Sequence, residues 1–475
     1  VLKREKEDQT LYDYEVICIG AGSGGCAAAM RSADLGKKVA LIERRQKEGT
    51  GGTCVNRGCI PLKALIKAAE IYNEVKSAKQ YGILAGDIQF DLKLVHQKKN
   101  TVVNNLRFGL DNFLLKPRKI ERLSGKARLT GPHDVEIVQG NEIKTVTAQN
   151  IVIATGSEPA MIPAFPIDGA KIITSDQALQ LMEVPPEILI IGAGAVGLEF
   201  AYFFASFGSK VTVAEMMPQV APTLADEELT GLVRTQLVKA GIAVKTGVQI
   251  LAVDVRQDGR VVSTFAGGET VETEKVLVAV GRALNTGDLG LSQIGVALNG
   301  KGQVAVDSQM RTSVENIFAV GDIVAGPQLS HKAQRQGLVA AETIAGLDAM
   351  INYEAIPWAI FMQPEIAGVG KTEAEAAAAG IATSVGRMPF NANEKAMTMQ
   401  KTTGMIKIVA RKDDGRIIGG QIFGADASVL IEEIALAIDN KLTLANIADS
   451  VHAHPTLAEI VMECSKNALG KSFHR

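Results

Sequence analysis

Tyr14-Glu15-Val16-Ile17-Cys18-Ile19 runs straight into Gly20-Ala21-Gly22-Ser23-Gly24-Gly25. A short apolar run that stops at a glycine cluster and continues into alanine-rich sequence reads as strand, tight turn and helix. Each glycine of the G-x-G-x-x-G spacing has its own task. Gly20 permits the strand-to-helix turn, Gly22 lets a pyrophosphate approach the backbone, and Gly25 lets helix and strand pack closely. The free N–H groups at the start of the helix then face the phosphates. A second strand, Val39 to Ile42, ends in Glu43, whose carboxylate suits ribose hydroxyls.

The same grammar returns far along the chain. Ile188 to Ile191 leads into Gly192-Ala193-Gly194-Ala195-Val196-Gly197, and a later strand, Val211 to Ala214, ends in Glu215. In both copies the acid stands 23 residues after the first glycine. One such motif is weak evidence, whereas two in matching context specify two dinucleotide-binding units. Glu215 would repel a 2′-phosphate, and Met216-Met217-Pro218 supplies no arginine to receive one, so the second copy is expected to take NAD. Ile151 to Gly156 reads as a strand ending in a small-residue turn, and Val276 to Val280 followed by Gly281-Arg282 closes the second unit. Ile317-Phe318-Ala319-Val320-Gly321-Asp322 is a further apolar strand, assigned back to the first unit, which makes the second an insertion. From about Tyr353 the pattern changes. Met405 to Ala410 and Ile417 to Phe423 alternate around Asp413-Asp414-Gly415, a hairpin signal, and Val429 to Ile438 and Leu457 to Leu469 read as helices.

A chain of 475 residues exceeds one core and suggests roughly three domains. The formal charge of −2 gives no broad basic surface for nucleic acid. Lys98-Lys99 reads as part of a solvated face. The first ten residues are charged and lack the apolar stretch of a secretory signal. No apolar run reaches the roughly 20 residues of a membrane helix. The expected compartment is the cytoplasm, with an organelle matrix or stroma left open. The five cysteines do not form a secreted disulfide framework. Cys18, Cys26 and Cys464 fall in apolar strand and helix patterns and read as buried small hydrophobes. No metal cluster is expected.

Cys54-Val55-Asn56-Arg57-Gly58-Cys59 is different. Residues five apart on a regular helix have Cα atoms roughly 8.6 Å apart, beyond the reach of about 7 Å for a disulfide. Bonding would therefore require a distorted segment, which Asn56 and Gly58 make inexpensive and Pro61 reinforces by removing a helical N–H. Spacing alone leaves two unlinked thiols open. Near the other end, His454-Pro455-Thr456-Leu457-Ala458-Glu459 places a histidine ahead of a proline suited to a helix's first turn, with a carboxylate one turn in that could orient the imidazole. His452 reads equally as active-site wall or packing.

GGTCVNRGCIPLK, GAGAVGLEF, FAVGD and HAHPTLAE occur here in an order that resembles the pyridine nucleotide–disulfide oxidoreductase family, most closely its dihydrolipoamide dehydrogenase branch. The resemblance runs from about Tyr14 to Lys471. It implies an α/β fold with two Rossmann-like domains: an FAD domain at 12–155 and 282–350, an NAD domain inserted at 156–281, and an α+β dimerisation domain at 351–475. It implies a redox disulfide in which Cys54 exchanges with substrate and Cys59 faces the flavin, with His454 and Glu459 handling the proton. FAD contacts are implied for Gly20, Gly22, Gly25, Glu43, Thr53, Lys63, Ala127, Thr155, Gly156, Ser157, Asp322 and the run Gln328, Leu329, Ser330 and His331. NAD contacts are implied for Gly192, Gly194, Gly197, Glu199, Glu215 and Gly281, with Glu199 pairing to Lys63. The implied activity is oxidation of protein-bound dihydrolipoyl groups with reduction of NAD⁺. The implied assembly is a homodimer serving lipoyl domains of 2-oxoacid dehydrogenase or glycine cleavage complexes.

Two positions depart from the pattern: Leu62 stands where the family usually has serine, and the usual proline before Asn285 is missing. Among rival readings, a glutathione-type reductase would show basic residues after the second fingerprint, and a mercuric-ion reductase would end in a vicinal cysteine pair. A flavoprotein with a mainly structural role would not need Cys54, Cys59, His454 and Glu459 together.

Overall fold

The computed structural model describes residues 11–472. The first ten residues, on which the reading against a secretory signal rests, lie outside the described residues. The chain divides into two compact units. One comprises the chain up to Pro61, Lys99–Glu158 and Arg282–Ile351; the other comprises Leu62–Lys98, Pro159–Gly281 and the chain from Asn352.

The first unit is built on a parallel sheet. Its strands run in the order Glu121–Ser124, Val39–Glu43, Tyr14–Ile19, Glu142–Ile153 and Ile317–Ala319. Strand Ile317–Ala319 thus joins the sheet of the first fingerprint, as the sequence suggests. Alternate residues of Tyr14–Ile19 serve opposite faces. Val16 and Cys18 pack with Ala28, Ala29, Val339 and Ala340. Ile17 and Ile19 pack with Val135 and Ile137 of an antiparallel meander, Lys126–Leu129, Asp134–Gln139 and the start of Glu142–Ile153. Burial on both faces explains why the strand is apolar from Val16 to Ile19, with half-buried Glu15 near its start. The alanine-rich helix Ser23–Asp34 owes its small residues to helix Ser330–Ile344. A Cβ on Gly337 would meet the Gly24 carbonyl oxygen at 2.3 Å.

The second unit repeats this plan. Its parallel sheet runs Ala243–Thr246, Lys210–Glu215, Glu187–Ile191, Lys275–Val278 and Ile172–Ile173. An antiparallel meander, Ile250–Val255, Val261–Phe265 and Thr270–Thr273, stands where the first unit has its own. Ile188 and Ile190 share a core with Phe200, Phe204 and Leu62, while Leu189 and Ile191 pack with Phe265. Leu62 is thus an ordinary core side chain. The same unit carries an antiparallel sheet, Trp358–Ile360, Glu365–Gly370, Ile417–Gly424, Met405–Arg411 and Thr383–Pro389. Helices Ala427–Asp439 and Glu459–Ala468 share its core. The hairpin around Asp413-Asp414-Gly415 is present.

Two expectations fail. Lys99 is not on a solvated face: it is 2% exposed within helix Leu92–Gly109, and burial lowers its ammonium to about 8. Neighbouring Lys98 is exposed, so the basic pair straddles the helix's two faces. The last helix begins at Glu459, two residues after the expected Leu457, so Pro455 stands outside its first turn. Glu459 is its first residue because residues 454–458 form a turn held by side-chain hydrogen bonds, with a cis His454–Pro455 peptide.

Candidate active site

The first fingerprint turn follows the sequence closely. Gly20 has φ +106°, and a Cβ there would lie 2.3 Å from the Ala154 carbonyl oxygen; a Cβ on Gly25 would lie 1.8 Å from the Gly20 carbonyl oxygen. Glu43 is fixed by two backbone donors, Ala21 N–H to Oε2 at 3.0 Å and Arg45 N–H to Oε1 at 2.8 Å. The cysteine segment sits on this turn. Gly51 N–H donates to the Ala21 carbonyl at 2.8 Å, and Gly52 packs so tightly on Gly22 that a Cβ would reach its Cα at 2.6 Å.

From Gly51 the chain forms two helical pieces, Gly52–Arg57 and Cys59–Ser77. Gly58 separates them at φ −144° and ψ −106°. The break falls between the cysteines, where a disulfide would require distortion. Cys54 is half-buried in the first piece, and exposed Cys59 opens the second. Cys18, Cys26 and Cys464 are buried, and burial pushes the Cys26 thiol up to about 12 and the other two further, so none is a nucleophile at neutral pH.

A cavity of about 290 Å³ opens beside the turn, lined by Gly20, Gly22, Glu43, Thr53, Ala127, Thr155, Gly156 and Ser157. Asp322 joins it through Ser157, whose hydroxyl donates to Asp322 Oδ2 at 2.5 Å. Ser330 meets Ser23 at 2.6 Å between hydroxyl oxygens. Leu329 caps the same helix start, while Gln328 and His331 are exposed and do not line the cavity. Gly25 lies under the turn.

The second turn is a near copy. Gly192 has φ +105°, and a Cβ there would lie 2.4 Å from the Ala279 carbonyl oxygen; Gly197 stands to Gly192 as Gly25 does to Gly20, at 1.9 Å. Glu215 accepts Ala193 N–H at 2.7 Å and Met217 N–H at 2.8 Å. Gly194 follows Ala193 as the N-cap of helix Ala195–Ser206. Gly281 has φ +117°, just past strand Lys275–Val278. Glu199, buried in helix Ala195–Ser206, takes the Lys63 ammonium on both oxygens at 2.8 Å. Its Oε1 also accepts Phe361 N–H at 3.1 Å, and Lys63 Nζ lies 4.5 Å from the Phe361 ring centroid.

His454 and Glu459 form a dyad in the second unit. Nδ1 lies 3.0 Å from Glu459 Oε1, and Oε2 accepts Thr456 N–H at 2.8 Å. Burial works to raise this carboxyl, but the Thr456 N–H and the imidazole outweigh it and hold it below the usual range. An ionised carboxylate only accepts, so Nδ1 carries the proton and Nε2 on the exposed ring is left as the base. His452 instead pairs with Glu433 at 3.1 Å.

Several contributors escape a reading by motif. Arg57, Glu48, Arg45 and Glu158 surround the cavity rim, and Asn285 clasps Thr155 through two hydrogen bonds. Arg282 donates to Ser157 Oγ and O, both at 2.6 Å. Only partner polarity signals these residues, and apart from the local contacts of Glu48 the partners lie 101 to 130 positions apart.

Residues 14–337 match the family model for pyridine nucleotide–disulphide oxidoreductases, and residues 356–464 match that family's dimerisation domain. The chain belongs to the pyridine nucleotide–disulfide oxidoreductase family. It is therefore an oxidoreductase whose cofactors are FAD and NAD. Among curated relatives of this oxidoreductase, dihydrolipoyl dehydrogenase of Geobacillus stearothermophilus is 42% identical over 97% of both chains. That of Bacillus subtilis is 40% identical over 97% of this chain and 98% of the relative. Among solved structures, LpdA from Mycobacterium tuberculosis superposes with a TM-score of 0.88 at 26% identity, covering 95% of this chain and 99% of that one. The flavoprotein disulfide reductase RclA from Escherichia coli gives 0.85 at 27% identity, with the same coverage. Among the described residues no helix is long and apolar enough to cross a membrane, and no cluster of metal-binding side chains occurs.

Proposed function

We propose that this enzyme oxidises protein-bound dihydrolipoyl groups through a Cys54–Cys59 disulfide, with FAD at the first fingerprint and NAD⁺ at the second. The observation that carries the reading is the redox segment seated on the first fingerprint turn, its helix broken at Gly58 between the two cysteines. Relatives named dihydrolipoyl dehydrogenase span the whole chain at about the same length, which supports this substrate. Glu43, Thr53, Ala127, Thr155, Gly156, Ser157 and Asp322 would hold FAD, and Gly192, Gly194, Gly197 and Glu215 would hold NAD⁺. The glycine cradle fits a pyrophosphate because the backbone faces open space where one would sit: a Cβ on Gly22 would meet nothing closer than 3.9 Å and one on Gly194 nothing within 4 Å. FAD, when bound, carries the electron pair from the reduced thiols to NAD⁺ as hydride.

The chain's own residues do the thiol chemistry. His454 Nε2 takes the proton of a dihydrolipoyl thiol. The resulting thiolate attacks Cys54 Sγ, forming a mixed disulfide and releasing Cys59 as thiolate. The second substrate thiol then attacks the substrate sulfur joined to Cys54. This closes the lipoyl ring and leaves Cys54 and Cys59 reduced by two electrons. Glu459 keeps the imidazole in the tautomer this requires. Lys63 and Glu199 neutralise one another beside the second fingerprint.

The working unit is a homodimer, on the dimerisation domain at 356–464, and its partners are lipoyl domains of 2-oxoacid dehydrogenase or glycine cleavage complexes. We place it in the cytoplasm, where the buried unpaired thiols of Cys18, Cys26 and Cys464 stay reduced. Dihydrolipoamide and NAD⁺ added to FAD-loaded enzyme should yield NADH with one lipoamide per NADH. No NADH, with FAD retained, would refute the assignment.

A further inference from the structure

Between the two cysteines stands an arginine that the thiol chemistry leaves without a task. Arg57 is 13% exposed and turns its guanidinium away from solvent. Nε donates to Glu48 Oε2 at 2.8 Å and Nη1 to Glu158 Oε2 at 2.9 Å. Arg45 spans the same two carboxylates, at 3.2 Å to Glu48 and 2.9 Å to Glu158, and Arg44 reaches Glu158 Oε1 at 2.5 Å. Burial alone would raise the Glu158 carboxyl, yet Arg57 and Arg45 hold it at about 2, so it is ionised at any working pH.

The network is placed to act on the redox segment. Arg44 and Arg45 follow Glu43 at the end of its strand, and Glu158 follows Ser157, which holds Asp322. The segment from Cys54 to Cys59 joins the short helix Gly52–Arg57 to the start of the long helix Cys59–Ser77 through a single glycine, a joint with wide conformational freedom. Multiply shared, charge-assisted hydrogen bonds between rigid elements are what restrain such a joint.

We propose that Arg57 is a positioning residue that, through Glu48 and Glu158, clamps the cysteine segment to the rim of the first fingerprint and so keeps the two thiols poised for bond formation. The inference rests on the Cys54–Cys59 redox pair proposed above. Loosening the clamp lowers the effective concentration of one thiol at the other, which disfavours the disulfide relative to the dithiol.

The test equilibrates FAD-loaded enzyme in dihydrolipoamide/lipoamide buffers without nucleotide. Thiols at Cys54 and Cys59 are then trapped by alkylation and counted by mass spectrometry. Arg57→Met and Glu158→Gln should each shift the thiol–disulfide equilibrium about tenfold toward dithiol, about 30 mV upward. The double variant should shift no further than the larger single one, because both break the same clamp. Arg57→Lys, which keeps a charge at the site, should give a smaller shift and guards against a simple folding defect. Unchanged equilibria in well-folded variants would overturn the clamp. So would shifts of opposite sign for Arg57→Met and Glu158→Gln, since these would mark a bare charge effect. Wild-type enzyme with no titrating pair would instead overturn the underlying redox reading.

Discussion

The two fingerprint turns are nearly superimposable in their local chemistry and differ in what is built on them. Both start with a glycine near φ +105°, both bar a Cβ by a neighbouring carbonyl, and both hold an acid by two backbone N–H groups. The difference begins one step later. The carbonyl of Ala21 accepts from Gly51, which opens the cysteine segment; that of Ala193 accepts from Ala221, which opens only the turn Pro222–Leu224. Glu43 is followed by two arginines in an ion-pair network, whereas Glu215 is followed by Met216 and Met217, 69% and 48% exposed. One dinucleotide cradle thus carries the cysteine segment and a charged network, and its copy has an open apolar rim. A resident cofactor suits the first and an exchanging one the second.

Variants can break this contrast at several strengths. Cys54→Ser should have the largest effect, abolishing dihydrolipoamide-dependent NADH formation while FAD remains bound; stopped-flow and absorbance measure both. His454→Gln should lower kcat/KM for dihydrolipoamide by about 10²- to 10⁴-fold with NAD⁺ affinity unchanged. Gly197→Ala pushes a methyl into the Gly192 carbonyl and should weaken NAD⁺ binding by roughly 10- to 100-fold, leaving FAD in place. Gly25→Ala should do the reverse, and titration calorimetry separates the two. Met216→Arg gives the second rim a feature of the first and should lower the KM for NADP⁺ by about tenfold through one charge-assisted contact.

The smallest effect concerns acid stability. The Glu158 carboxyl is lowered on folding from 4.5 to about 2, so its contribution is present above 4.5 and lost as pH falls toward 2. Glu158→Gln should flatten this part of the acid limb in thermal melts and leave the melting profile above pH 6 parallel to wild type.

The repeated plan was legible because glycine, strand and acid fall at fixed spacing within each copy, and steric need at Gly20, Gly25, Gly192 and Gly197 leaves few alternatives. Distance required a break between Cys54 and Cys59 only if the two bond, and the bond itself came from the family resemblance. Less local features were hidden. Lys99 looks like any exposed lysine until the helix Leu92–Gly109 turns it inward. Pro455 suits a first turn, yet Thr456 and Glu459 tie up the preceding residues in a separate turn, which moves the helix start from Leu457 to Glu459. The partnership of Arg57 with Glu158 links residues 101 apart, and no periodicity marks such a pair.

The central claim is that the first fingerprint, and not its copy, carries the thiol chemistry. Anaerobic titration of FAD-loaded enzyme with dihydrolipoamide, followed by alkylation and peptide mapping, tests it most directly. Two new thiols per chain should appear, at Cys54 and Cys59, and be reoxidised on adding NAD⁺. Label at neither cysteine after reduction, or label that persists after NAD⁺, would contradict it.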